Sequence, residues 1–260
     1  LNNISPYLLL SAFGLVFGSF LNVCIYRIPR GGSIISPSSR CPSCGSPISP
    51  LENIPIISYI ALRGRCRSCG SKISLRYPLV EALNAVLWVV FYMRFGYGWH
   101  LLFYLLFASS LIVITFIDID FQIIPDRITL VGIPIGLLAG SYILPDPFLR
   151  ASLLGFKASI LGAVFGFILF YAVAVVSRGG MGGGDIKLMA LIGAITGWKG
   201  VLLTTFAGSM VGSVIGIFLM LFKGKGRKTK IPFGPFLSLG SLITLLLGQE
   251  IIHWYLYAGH

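Results

Sequence analysis

Long apolar runs broken by short polar interruptions set the architecture of this chain. Positions 4–26, 78–95, 99–117, 127–144, 153–177, 201–222 and 236–257 each read as a membrane-crossing helix, and 187–197 adds a shorter apolar element. A helix needs about 20 such residues to cross the hydrocarbon core. Barrel strands would instead show about ten alternating residues each, whereas 153–176 is apolar on every face apart from Lys157 near its start. The pattern predicts an all-α polytopic membrane protein of about eight transmembrane helices. One polar segment, 27–77, follows the first helix and reads as a small soluble module. The expected division is therefore helix 1 at 1–26, the module at 27–77 and a transmembrane domain at 78–260.

Composition agrees: 56% hydrophobic and 11% charged residues lie outside the usual range of soluble domains. The formal net charge of +12 could signal nucleic acid. In a membrane protein, however, a positive excess marks cytoplasmic loops and their anionic lipid surface, so lipid is expected as a partner and nucleic acid is not. With the N-terminus outside, only Arg94, Arg150, Lys157 and Lys199 fall on the outer side. The module, Arg127, Arg178, Lys187 and the basic run 223–230 then face the cytoplasm, with both termini outside. The first apolar run lacks a basic flank at its start and is expected to be a retained helix. Gly14, Gly18 and Asn22 recur every four positions along it, a spacing that suits close helix packing.

The module holds four of the five cysteines, as Cys41-Pro-Ser-Cys44-Gly and Cys66-Arg-Ser-Cys69-Gly. Each pair can turn two thiolates toward one point, and two pairs complete a tetrahedral four-cysteine site that suits Zn2+. Two disulfides are the competing reading. They need an oxidising compartment, which conflicts with a module carrying Arg27, Arg30, Arg40, Arg63, Arg65, Arg67, Lys72 and Arg76. A closed site of this kind folds a module and performs no chemistry. Cys24, inside the first helix, reads as a core residue.

Two further stretches carry polar groups at membrane edges. In Gly179-Gly180-Met181-Gly182-Gly183-Gly184-Asp185-Ile186-Lys187, one carboxylate stands beside five glycines. Glycine can take positive φ and lets another backbone come close; a hinge whose Asp caps the next helix is the plainer reading. The second stretch, Asp118-Ile119-Asp120-Phe121-Gln122-Ile123-Ile124-Pro125-Asp126-Arg127, holds three acids. Topology places both stretches on the cytoplasmic side. Ionisable groups at such a depth are costly and mark functional sites. Two carboxylates sharing a site leave one ionised and one protonated, so that one takes a proton from water while the other donates to a scissile carbonyl. Asp126, after Pro125, is explained by N-capping; helix geometry alone does not choose between Asp118 and Asp120. Lys187 can pair with an acid or a lipid phosphate, or snorkel. Glu52 and Glu81 can serve a second chemistry or brace the module.

These motifs resemble one family over nearly the whole chain. GGGD185-Ile-Lys187, IDID120 with IPD126, GSFLNVCIYRIP at 18–29, CPSCG with CRSCG, and ENIPIISY with RYPLVE are similar to the type IV prepilin peptidases. These are GxGD aspartyl proteases of bacterial inner membranes. The resemblance implies cleavage of type IV prepilin or type II secretion pseudopilin precursors after a glycine, at the cytoplasmic face. It also implies methylation of the new N-terminal amine from S-adenosylmethionine. The motif puts the catalytic acids at Asp118 and Asp185, with Gly182, Gly184 and Lys187 in the supporting loop. A proton- or ion-coupled transporter is the alternative, since it too places Asp at broken, glycine-rich helices. It leaves the cysteine module unexplained.

Overall fold

The computed structural model describes residues 4–149, 151–177, 180–223 and 231–257. Arg150, Arg178, Gly179 and positions 224–230 of the basic run lie outside the described residues. Regular structure among the described residues is helical, apart from isolated bridges. The α-helices are α1 Ser5–Arg27, α2 Ile57–Ala61, α3 Arg76–Phe95, α4 Trp99–Phe121, α5 Asp126–Tyr142, α6 Phe156–Val176, α7 Gly183–Lys223 and α8 Gly234–Tyr257.

Six of these are long and apolar enough to cross a membrane, where the sequence predicts about eight. The difference has two causes. The fourth expected span, α5, has 17 residues with Pro134 inside it, and at 1.5 Å per residue it reaches only about 26 Å. The expected sixth and seventh elements are both present, end to end along α7 and divided where predicted, at Gly197 (φ 71°, ψ 177°), and together they make one continuous apolar stretch. Glycine adopts that pair of angles at little steric cost.

The chain forms two compact units, Leu1–Val113 and Ile114–His260. In the first, α1 packs on α3 along the predicted small-residue stripe. A Cβ at Gly14 would stand 2.7 Å from Ala85 Cα, and one at Gly18 would stand 2.7 Å from Glu81 Cα. Close approach lets side-chain amides reach the facing backbone: Asn84 donates to the Gly14 carbonyl at 2.8 Å and Asn22 to that of Tyr77 at 3.1 Å. Ser109 of α4 donates to Asn84 Oδ1 at 2.8 Å, and Trp88 Nε1–H donates to Ser109 at 3.1 Å. In hydrocarbon such polar groups must find partners within the protein. The module, including α2, lies between α1 and α3 in sequence.

In the second unit, α7 packs against α5, α6 and α8. Small residues again set the distances. Ser159 of α6 donates to the Ala194 carbonyl of α7 at 2.7 Å, and Thr204 of α7 meets Thr244 of α8 at 3.0 Å. The packed residues of 186–196, among them Leu188, Met189 and Ile192, are fully buried. The helix start that carries Asp185 is thereby anchored.

Candidate active site and metal centre

Asp118 occupies the last turn of α4 and is buried, with 5% of its surface exposed. Its Oδ2 accepts a hydrogen bond at 2.8 Å from the backbone N–H of Gly234, the first residue of α8. A helix N-terminus presents unpaired N–H groups and the positive end of its dipole, which suits a carboxylate. Beyond Asp118, Gln122 N–H bonds back to the Asp118 carbonyl at 2.9 Å, and Gln122 takes φ 54°. That left-handed residue ends α4 and returns the chain inward, so that Ile124 and Pro125 are buried. Because α4 continues to Phe121, Asp118 and Asp120 face different sides of one helix. Asp120 is exposed.

Asp185 lies in the first turn of α7 and is half-buried. Its Oδ2 accepts from Gly182 N–H at 3.2 Å, while its own N–H donates to the Gly182 carbonyl at 3.1 Å. The capping role expected of this residue is therefore present, by a carboxylate reaching back one turn. The charges of Asp118 and Asp185 lie within electrostatic reach of each other.

The glycines serve close approach here. Gly180, Gly182, Gly183 and Gly184 all have ordinary negative or extended φ. A Cβ on Gly184, however, would stand 2.7 Å from Ile124 Cβ, and one on Gly234 would stand 2.7 Å from Asp118 Oδ2. Ile124 thus sits against both glycines, between the two helix starts. Gly183 faces open space. Neither Ile124 nor Gly234 stands out in the sequence; the only local signal is Gly234-Pro235, a pairing that suits a helix start.

Lys187 pairs with Asp126 at 2.7 Å, linking α7 to the first turn of α5. Asp126 is not the N-cap: Pro125 holds that position, without a side-chain cap. It contributes a first-turn charge, favourable at a helix N-terminus.

The four cysteines converge in the first unit. Their sulfurs all lie within 4.8 Å of one another, with Cys41 and Cys69 Sγ at 3.9 Å. Tetrahedral ligation at about 2.3 Å puts sulfurs about 3.8 Å apart, so the cluster could hold a metal ion. The two knuckles repeat one backbone pattern. Cys41 N–H bonds to the Ser46 carbonyl and Gly45 N–H to that of Cys41, just as Cys66 N–H bonds to Ser71 and Gly70 N–H to Cys66. Gly45 at φ 71° and Gly70 at φ 69° close the turns. Backbone N–H groups of Cys44 and Ser43 aimed at the Cys41 sulfur hold its thiol down to about 6. The Ser71 hydroxyl likewise lowers that of Cys69. Thiolates are the metal-ligating form.

Both glutamates left open by the sequence make bracing contacts. Glu52 forms a capping box with Ser49 and pairs with Arg67 at 3.2 Å. Glu81, buried on α3, accepts from the Ile56 N–H at 2.8 Å. Both also line a cavity of about 610 Å3 within the first unit.

The chain matches the bacterial peptidase A24 N-terminal domain over residues 12–95 and the type IV leader peptidase family over residues 105–217. Among its relatives is a protein of Aeromonas salmonicida, 36% identical over 94% of this chain and 91% of its own length. A Pseudomonas aeruginosa protein is 36% identical over 95% and 92%, and one of Bacillus subtilis is 37% identical over 95% and 97%. All three are named prepilin leader peptidase/N-methyltransferase. No solved structure matches. Similarity of this extent over nearly the whole length, on a chain of membrane-spanning helices, shows that it is a membrane peptidase belonging to the type IV leader peptidase family.

Proposed function

We propose that this enzyme is an aspartic endopeptidase that removes leader peptides from type IV prepilins or pseudopilins, cutting after glycine at the cytoplasmic face of a bacterial inner membrane. Asp118 and Asp185 are its catalytic pair. The observation that carries this reading is the placement of a buried Asp118, held by the α8 N-terminus, within electrostatic reach of Asp185 at the α7 start. One carboxylate, ionised, takes a proton from the attacking water. The other, protonated, donates to the scissile carbonyl oxygen, and no covalent intermediate forms. Gly182 and Gly184 keep the Asp185 turn narrow, and Lys187 ties that turn to α5.

The names of the relatives support a second activity: methylation of the newly exposed N-terminal amine, with S-adenosylmethionine as donor. In this reading 27–77 is a cytoplasmic module and 78–260 the transmembrane protease domain. Cys41, Cys44, Cys66 and Cys69 hold Zn2+, which folds the module and takes no part in bond breaking. Incubation of the purified protein with a pilin precursor and a methyl-labelled donor, read by mass, tests both activities at once. Loss of the leader mass is expected, followed by gain of one methyl on the product. An uncut precursor overturns the peptidase assignment; a cut but unmethylated product overturns the second activity alone.

A further inference from the structure

The segment between α1 and α3 carries outward apolar side chains whose exposure to water would be costly. Leu51 is 77% exposed, Ile57 65% and Ile60 68%. We infer that α2 and the turn before it form an interfacial anchor, seated among the headgroups and upper acyl chains of the phospholipid bilayer, with Arg63 and Arg65 on the phosphates of anionic lipids. The segment is then tied to the membrane at three places: the end of α1, the start of α3 and this turn.

Depth comes first. Both α1 and α3 are long and apolar enough to span a membrane, so the segment leaves and re-enters the bilayer at one surface. Glu81 is the sixth residue of α3, about 8 Å inside its start. Its backbone abuts Gly18, nine positions before α1 ends at Arg27. From there its carboxylate accepts the Ile56 N–H at 2.8 Å, which draws the turn into α2 down beside the two spans. Ile56 takes φ 59°, a rare and strained conformation for a β-branched residue. The bond to Glu81 holds that bend in place.

The bend sorts the side chains of α2. Tyr59 and Leu62 line the cavity shared with Ser19 and Asn22 of α1, whereas Ile57 and Ile60, three positions apart on one side of the helix, point away. Backbone groups here find partners within the protein, as contact with lipid requires. The Ile54 carbonyl accepts from the Ser58 N–H at 3.1 Å and from its hydroxyl at 2.6 Å. The carbonyls of Ile56 and Ser58 accept from the N–H groups of Ile60 and Leu62 at 3.0 and 2.9 Å. Charge fits the same occupant. Segment 27–77 has eight basic residues against one acid, Glu52, and the exposed Arg63 and Arg65 follow α2 closely. Apolar contacts with basic neighbours suit an anionic leaflet.

The test uses the full chain in nanodiscs of equal parts phosphatidylcholine and phosphatidylglycerol, which leave both bilayer faces open. A photoreactive p-benzoylphenylalanine stands in place of Ile57 or of Ile60, one at a time. Irradiation should attach phospholipid to the peptide bearing the probe, read by mass. Absence of lipid adducts overturns the anchor, as do adducts to a second copy of the chain. Lipid adducts that an added pilin precursor displaces overturn it too, by making this a peptide surface. In the unaltered chain, tryptic cleavage after Arg63 should be about threefold faster when phosphatidylglycerol is left out. A rate indifferent to lipid charge removes the arginines from the contact. Ile57→Ser with Ile60→Ser should speed that cleavage about tenfold in either lipid. An unchanged rate overturns the anchor; should this variant unfold, the cross-links of the single-probe chains still decide.

Discussion

The cysteine module and the aspartate pair both draw on residues distant in sequence, by opposite means. In the module each half is local: two C-x-x-C turns repeat the same backbone hydrogen bonds, and the sulfurs then meet within 4.8 Å. In the second unit nothing local unites Asp118 with Asp185. They come within electrostatic reach because Ile124 rests on Gly184 and the α8 start at Gly234 reaches Asp118. A motif can carry its own geometry in a few residues; a site between helices inherits geometry from the whole bundle. Damage should therefore spread differently in the two places.

The sharpest break in that comparison comes from Asp118→Asn or Asp185→Asn. Either should lower precursor cleavage by about 10²–10⁴-fold while leaving bound metal unchanged, as judged by timed cleavage and metal analysis. Asp120→Asn should stay within about twofold of the unaltered rate, since an exposed group on the other side of α4 is not part of the pair. Retained cleavage in Asp118→Asn would remove it from the mechanism.

Next in size is Cys41→Ser with Cys44→Ser. Zinc content should fall from about one per chain toward none, and the segment 27–77 should become sensitive to protease, because metal binding and folding of such a module are linked. Unaltered metal stoichiometry would refute the four-sulfur site. A smaller effect is expected for Gly184→Ala, where the added carbon meets Ile124 and should cost about 1–3 kcal/mol of stability. Gly183→Ala faces open space and should stay within about 0.5 kcal/mol. Thermal unfolding in one detergent compares the two; equal losses would mean that the turn does not rest on Ile124. The least effect belongs to Lys187 and Asp126, whose side chains are 33% and 56% exposed. A double-mutant cycle on stability should find a coupling below about 1 kcal/mol after solvent screening.

Much of this was legible in the residues alone. Apolar runs located the helices, and two spaced cysteine pairs located the four-sulfur cluster, because both signals are short in sequence and follow from local geometry. The spacing of Gly14, Gly18 and Asn22 foretold the α1 face that meets α3. Less was legible where packing decides. Helix geometry read from the sequence does not choose between Asp118 and Asp120, a choice only the motif makes, whereas the length of α4 puts them on different sides. Gly234 carries no pattern that points 116 positions back to Asp118.

That last contact also bears on when the protein becomes competent during its synthesis. Both aspartates leave the ribosome well before α8 does, since α8 begins at Gly234. A nascent chain interrupted before position 231 therefore contains both carboxylates but not the N–H group that Asp118 accepts from. Under the proposed mechanism, the last described helix completes the setting of Asp118, so the site takes its final form only late in synthesis.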